Sequence, residues 1–178
     1  MTLTTDLLNT IQDFPDFPKP GIIFKDINPV LKNAQLMKRI IADMAMFAQS
    51  VAAQHIIGVE SRGFFFALPL ALEMNLPFIP ARKKGKLPGS VVSETYSLEY
   101  GEDSLEIQAS SILPGERYLI VDDIIATGGT VCAVAKIIQK ENAVLAGCSF
   151  LSELTFLNGT KKILDAAPNC KIQSILKI

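Results

Sequence analysis

The sequence predicts an α/β domain: a central, mostly parallel sheet with helices on both faces. Strand-like and helix-like segments alternate through the middle of the chain, as they do where parallel strands are joined by crossover helices. The run Tyr118-Leu119-Ile120-Val121 is apolar without a break, which suits a strand covered on both sides. Two turns of unusual chemistry, Glu60-Ser61-Arg62-Gly63 and the stretch after Val121, each follow such a strand. Ligands of open parallel sheets bind at the carboxyl ends of the strands, so both turns fall where a site belongs.

Each element has its own warrant. Residues 2–12 suit a short helix capped by Thr2 or Thr5, with Leu7, Leu8 and Ile11 on one side. Pro15, Pro18 and Pro20 then predict irregular backbone over residues 13–21. Residues 21–27 read as a short extended piece. Residues 35–53 carry Leu36, Ile40, Met44 and Phe47 at helical spacing. A strand over 55–59, a helix over 64–74 and a strand over 77–80 follow. Residues 82–89 read as a basic loop, and 91–100 with 104–109 as the arms of a β-hairpin around Gly101-Glu102-Asp103. After the strand at 118–121 come a helix over 131–139, a strand over 144–151, a turn at Asn158-Gly159 and a last strand near 172–178.

Composition narrows the function. A chain of 178 residues is one compact domain by default and needs no staples for its core. Net charge −1 argues against a general polyanion binder, so no nucleic-acid partner is expected. Hydrophobic content of 49% with 20% charged residues suggests buried strands or a subunit interface. Cys132, Cys148 and Cys170 are odd in number and lack metal-ligand spacing, so they read as buried thiols of a reducing compartment. No apolar run reaches spanning length and no secretory pattern opens the chain. The expected location is the cytoplasm, with no membrane partner. His55, the single histidine, opens a strand and reads as structural.

The stretch from Val121 to Thr130 organises the rest. Its order is strand, acidic pair (Asp122, Asp123), small-residue turn (Ala126-Thr127-Gly128-Gly129-Thr130), helix. Backbone amides of such a turn and of the helix start form an anion site, with Thr127 and Thr130 adding hydroxyls. Carboxylates beside a phosphate make sense if the ligand also brings hydroxyls or a divalent cation. No lysine follows Gly129, as a nucleotide-triphosphate loop requires, and the G-x-G-x-x-G pattern is absent. Two glycines alone would suit a plain βα connection. The whole ten-residue run resembles instead the signature of the phosphoribosyltransferase family, whose loop cradles the 5′-phosphate of phosphoribosyl pyrophosphate (PRPP) while the acidic pair faces the ribose.

Further motifs narrow the resemblance to the family's adenine branch. They are Phe14-Pro15-Asp16-Phe17-Pro18, Gly21-Ile22-Ile23-Phe24-Lys25-Asp26-Ile27, Val59-Glu60-Ser61-Arg62-Gly63-Phe64, Arg82-Lys83-Lys84-Gly85-Lys86-Leu87-Pro88-Gly89 and Tyr96-Ser97-Leu98-Glu99-Tyr100-Gly101. The resemblance implies the type I phosphoribosyltransferase fold as a single domain over 1–178, with a small hood largely from residues 1–33 and a flexible β-hairpin flap over about 82–109. It implies that Glu60, Ser61 and Arg62 hold the diphosphate, with the Glu60–Ser61 peptide cis. It implies that Phe24 and Leu154 sandwich adenine and that the backbone at Lys25 reads its amino edge. Arg82, Lys83 and Lys86 carry charge toward the diphosphate, with Arg82 reaching a neighbouring subunit in a homodimer. Glu99 matches the acid/base near the purine, and Tyr100 joins the substrate contacts. From the residues alone Glu99 is an exposed strand carboxylate, and the basic run a solvated face or a nucleic-acid patch.

The implied reaction is adenine plus PRPP giving AMP and pyrophosphate. Asp122 and Asp123 would stabilise positive charge on the ribose, and Mg2+ would arrive through PRPP rather than on a direct protein site. A sibling acting on xanthine or hypoxanthine is the neighbouring alternative. A PRPP-sensing regulator that binds nucleic acid would need a basic face, which net charge −1 disfavours.

Overall fold

The computed structural model describes residues 2–98 and 101–178. Helix α1 (Leu3–Thr10) is capped by Thr2, whose hydroxyl accepts the Thr5 N–H at 3.2 Å. Strands β1 (Gln12–Pro15) and β2 (Ile23–Asp26) then pair antiparallel as a separate ribbon, with Phe14 opposite Phe24. The irregular backbone expected from residue 13 therefore begins only after Pro15. A two-stranded ribbon is all edge, so a proline with no N–H to give ends its strand without disrupting a ladder.

Helices α2 (Asn28–Leu31) and α3 (Ala34–Ser50) lead to β3 (His55–Val59), α4 (Phe64–Met74) and β4 (Phe78–Lys83). The hairpin β5 (Val91–Leu98) and β6 (Gly101–Gln108) precedes β7 (Arg117–Ile125), α5 (Gly129–Lys140), β8 (Val144–Glu153), α6 (Gly159–Ala166) and β9 (Lys171–Lys177). Seven strands form one sheet in the order β5-β6-β4-β3-β7-β8-β9. The five from β4 to β9 run parallel, and the hairpin joins β4 antiparallel through Arg82↔Glu106 and Lys83↔Leu105.

Alternation along β7 explains the two layers. Tyr118 and Ile120 face α5 and α6, in a core with Val134, Ile137, Cys148, Phe150 and Ile163. Leu119 and Val121 face the other way, toward Ile40, Met44, Phe66 and Leu70 of α3 and α4. Successive strand residues point to opposite faces, so an unbroken apolar run is what a doubly covered strand requires.

Four further expectations need correction. Gly101-Glu102-Asp103, expected as the hairpin turn, are the first residues of β6, paired with Leu98, Ser97 and Tyr96. The strand predicted to end at Val121 continues to Ile125 and carries both aspartates. Arg82 and Lys83 lie in β4 rather than in a loop. Asn158-Gly159 is the start of α6, an element the sequence reading lacks. His55 has the structural place expected of it: it stacks on Tyr118 at 4.6 Å, at the strand end opposite the signature turn. The three cysteines are buried thiols, with Sγ of Cys148 and Cys170 3.6 Å apart. Among the described residues no helix is long and apolar enough to cross a membrane.

Candidate active site

The exits of β3 and β7 lie side by side, because the two strands pair in parallel register with Gly58 opposite Val121. Gly63 makes their approach possible. A Cβ there would fall 2.7 Å from the Val59 carbonyl and 2.8 Å from both Asp122 Oδ1 and the Val121 carbonyl. Any other residue would push the two turns apart. The Glu60–Ser61 peptide between them is cis.

On the far side, residues 126–130 turn from β7 into α5. Gly128 adopts φ +78°, a conformation natural to glycine. A Cβ on Gly128 would also lie 2.8 Å from the Gly159 carbonyl. The start of α6 thus presses on the turn from behind, while the first amides of α5 open forward. A helix N-terminus behind a small-residue turn concentrates unpaired N–H groups and the positive end of the helix dipole.

Between the turns is a cavity of about 470 Å3. Its lining includes Phe24, Glu60, Ser61, Arg62, Lys83, Asp122, Asp123 and most of the residue 126–130 turn. Sequence reasoning missed Val59, Ile124, Ile125 and Val131, which also line it; their apolar character reads equally well as core. Of the other described candidates, Lys25, Arg82, Lys86, Gly129 and Leu154 lie outside this lining. Lys25 is ion-paired to Asp13 at 2.7 Å, and Leu154 donates its N–H to the Ile125 carbonyl at 2.9 Å beside the β7 exit. Gly129 is the buried first residue of α5. Glu99 and Tyr100 lie outside the described residues.

The electrostatics of the cavity are unbalanced. Asp123 is 3% exposed, and the Arg62 guanidinium approaches its Oδ2 to 2.6 Å, though off the direction of a hydrogen bond. Asp122 accepts the Asp123 N–H at 2.9 Å. Burial, and then the Asp123 charge, push the Asp122 carboxyl well above the usual carboxylate range. Burial also raises Asp123, against the pull of Arg62. Two carboxyls with one guanidinium form a site short of positive charge, which a cation or a developing cationic centre would complete.

Arg62 is shared: its guanidinium also lies 5.2 Å from the centre of the Phe24 ring, which packs edge-on against Phe17. Phe24 thereby offers the cavity an apolar plate. The Glu60 carboxylate accepts Arg82 at 3.2 and 3.1 Å and the Lys83 N–H at 2.8 Å. Burial opposes its ionisation, but these contacts outweigh it and hold Glu60 below its usual range. Among the described residues no cluster of three or more His, Cys, Asp or Glu could hold a metal ion.

Comparison with known proteins shows the family. The family profile of the phosphoribosyl transferase domain matches residues 27–156. The adenine phosphoribosyltransferase of Myxococcus xanthus is 48% identical over 162 residues, spanning 91% of this chain and 88% of that protein. The crystal structure of adenine phosphoribosyltransferase from Thermoanaerobacter pseudethanolicus superposes with a TM-score of 0.93 at 44% identity, covering 99% of this chain and all of that one. That of the Saccharomyces cerevisiae enzyme, complexed with an imino-altritol bisphosphate and adenine, gives 0.91 at 36% identity over 98% of each chain.

Proposed function

The chain belongs to the phosphoribosyl transferase family, among its adenine phosphoribosyltransferases, and we propose that the cavity at the β3 and β7 exits performs their reaction. It transfers the phosphoribosyl group of PRPP to adenine, giving AMP and pyrophosphate, and so salvages the purine. The observation that carries this is one cavity in which an anion cradle, a buried acidic pair and an aromatic plate meet.

The 5′-phosphate takes the amides and hydroxyls of Ala126, Thr127, Gly128, Gly129 and Thr130. Ser61 and Arg62 bind the diphosphate, with Lys83 beside them and Lys86 approaching from the flap. Glu60 acts through its contacts with Arg82 and the Lys83 N–H. Adenine packs on Phe24, with Leu154 opposite and the Lys25 backbone at its amino edge. As the bond to pyrophosphate breaks, positive charge grows on the ribose, and Asp122 with Asp123 stabilises it. Mg2+ bound to PRPP would face these two carboxylates, and when present it neutralises charge on the diphosphate. Glu99 exchanges the proton of the purine ring, with Tyr100 beside the substrate.

The working form is a homodimer in the cytoplasm. Support comes from Phe65, Leu68 and Leu72, which form an exposed stripe on α4. Arg82 acting across that dimer is part of the same proposal, and it requires release from Glu60.

Spectrophotometric turnover of adenine, hypoxanthine and xanthine with PRPP tests the assignment. Turnover of adenine alone is expected. Preference for either oxopurine would overturn it.

A further inference from the structure

Among the described residues lining the cavity, Lys83 is the only lysine. An ammonium has three N–H donors. One goes to Tyr96 Oη at 2.7 Å and another to the Asp103 carboxylate. Tyr96 and Asp103 sit opposite each other across the hairpin, and the phenol itself donates to Asp103 Oδ2 at 3.2 Å. Both anchors are fixed in turn. Tyr96 is 9% exposed, and Asp103 Oδ1 accepts the Ser104 N–H at 2.8 Å. A lysine on a free four-carbon stem spreads its charge over many rotamers. Lys83 is tied at its tip, with one donor left.

We propose that Asp103, seconded by Tyr96, is a positioning residue that aims the remaining N–H of Lys83 at the diphosphate of the substrate. The β6 arm of the hairpin thereby becomes part of the PRPP site without touching PRPP. The proposal rests on the assignment of Lys83 to the diphosphate. Burial alone would weaken the ammonium, but Asp103 and Tyr96 outweigh it and keep Lys83 charged. The rival role for Asp103 is that of a competitor, an anion that the diphosphate must displace from Lys83. The two roles predict opposite signs.

Steady-state kinetics of the full-length enzyme decide the matter, with melting curves to establish that each variant folds. Asp103→Ala is expected to raise KM for PRPP roughly 3- to 10-fold, the usual coupling of contacting residues. Both kcat and KM for adenine should stay within about 2-fold, a split that general loosening would not give. Asp103→Asn keeps an oxygen that accepts from Lys83 and should restore most of the loss. In Lys83→Ala, adding Asp103→Ala should cost nothing more. If Lys83→Ala raises KM while Asp103→Ala leaves it unchanged or lowers it, the positioning role is wrong and the assignment of Lys83 stands. If Lys83→Ala leaves KM for PRPP unchanged, the assignment of Lys83 itself fails.

Discussion

Gly159 lies so close to Ala126 that a methyl group on it would sit 2.1 Å from the Ala126 carbonyl oxygen. The first residue of α6 is therefore the backstop of the residue 126–130 turn. Gly159→Ala should displace that turn. Overpacking of this kind costs about 1–3 kcal/mol, and a misplaced cradle should raise KM for PRPP at least tenfold, with KM for adenine little changed. Melting curves and two-substrate kinetics check both parts.

Asp122 and Asp123 make stability depend on pH in an unusual direction. Burial holds the folded values of both above the ordinary 3.8. The fold thus favours the protonated pair. That contribution is fully present below the unfolded value and is lost as pH rises through the folded values. Asp122→Asn should accordingly raise Tm at neutral pH and leave it nearly unchanged at acid pH below both values. The same substitution should lower kcat roughly 10²–10³-fold, as loss of one preorganised charge stabiliser does. A Tm that falls together with activity would make Asp122 a structural residue of β7 rather than a charge stabiliser.

Glu99→Leu is expected to reduce kcat by roughly 10²–10³, the lower part of the general acid/base range. Pyrophosphate leaves without needing a proton, so positioning and electrostatics retain most of the acceleration. PRPP binding should hardly change. Single-turnover rates and PRPP titrations test this, and a loss confined to PRPP affinity would refute it.

Sedimentation should find a homodimer at working concentrations. An active monomer would remove both the dimer and the action of Arg82 in trans.

The parts of the fold that the sequence made legible are those whose chemistry is local. Helix α4 has the predicted bounds because Gly63 precedes it and Asn75, in a left-handed conformation, stops it. Strand β7 was recognisable from four apolar residues, but its continuation through Asp122 and Asp123 was not. A carboxylate inside a strand makes sense only once the cavity beside it is known. Helix α6 escaped because it spans only eight residues and opens on Asn158-Gly159, a pair that reads as a turn. The pairing of Tyr96 with Asp103 depends on hairpin register, which single-residue patterns do not fix. The Val121–Thr130 stretch, by contrast, carries its family resemblance in contiguous residues.

The buried thiols have a practical consequence. Cys132 on α5, Cys148 on β8 and Cys170 just before β9 are 7%, 0% and 6% exposed and share the core layer packed with α5 and α6. Cys148, fully buried, can be reached by an alkylating reagent only when that layer opens, so its rate of labelling reports how often the domain opens. A substrate that binds the closed form alone must slow the labelling by the factor 1 + [L]/Kd. Alkylation followed by mass spectrometry would then measure PRPP affinity even in variants too slow to assay by turnover.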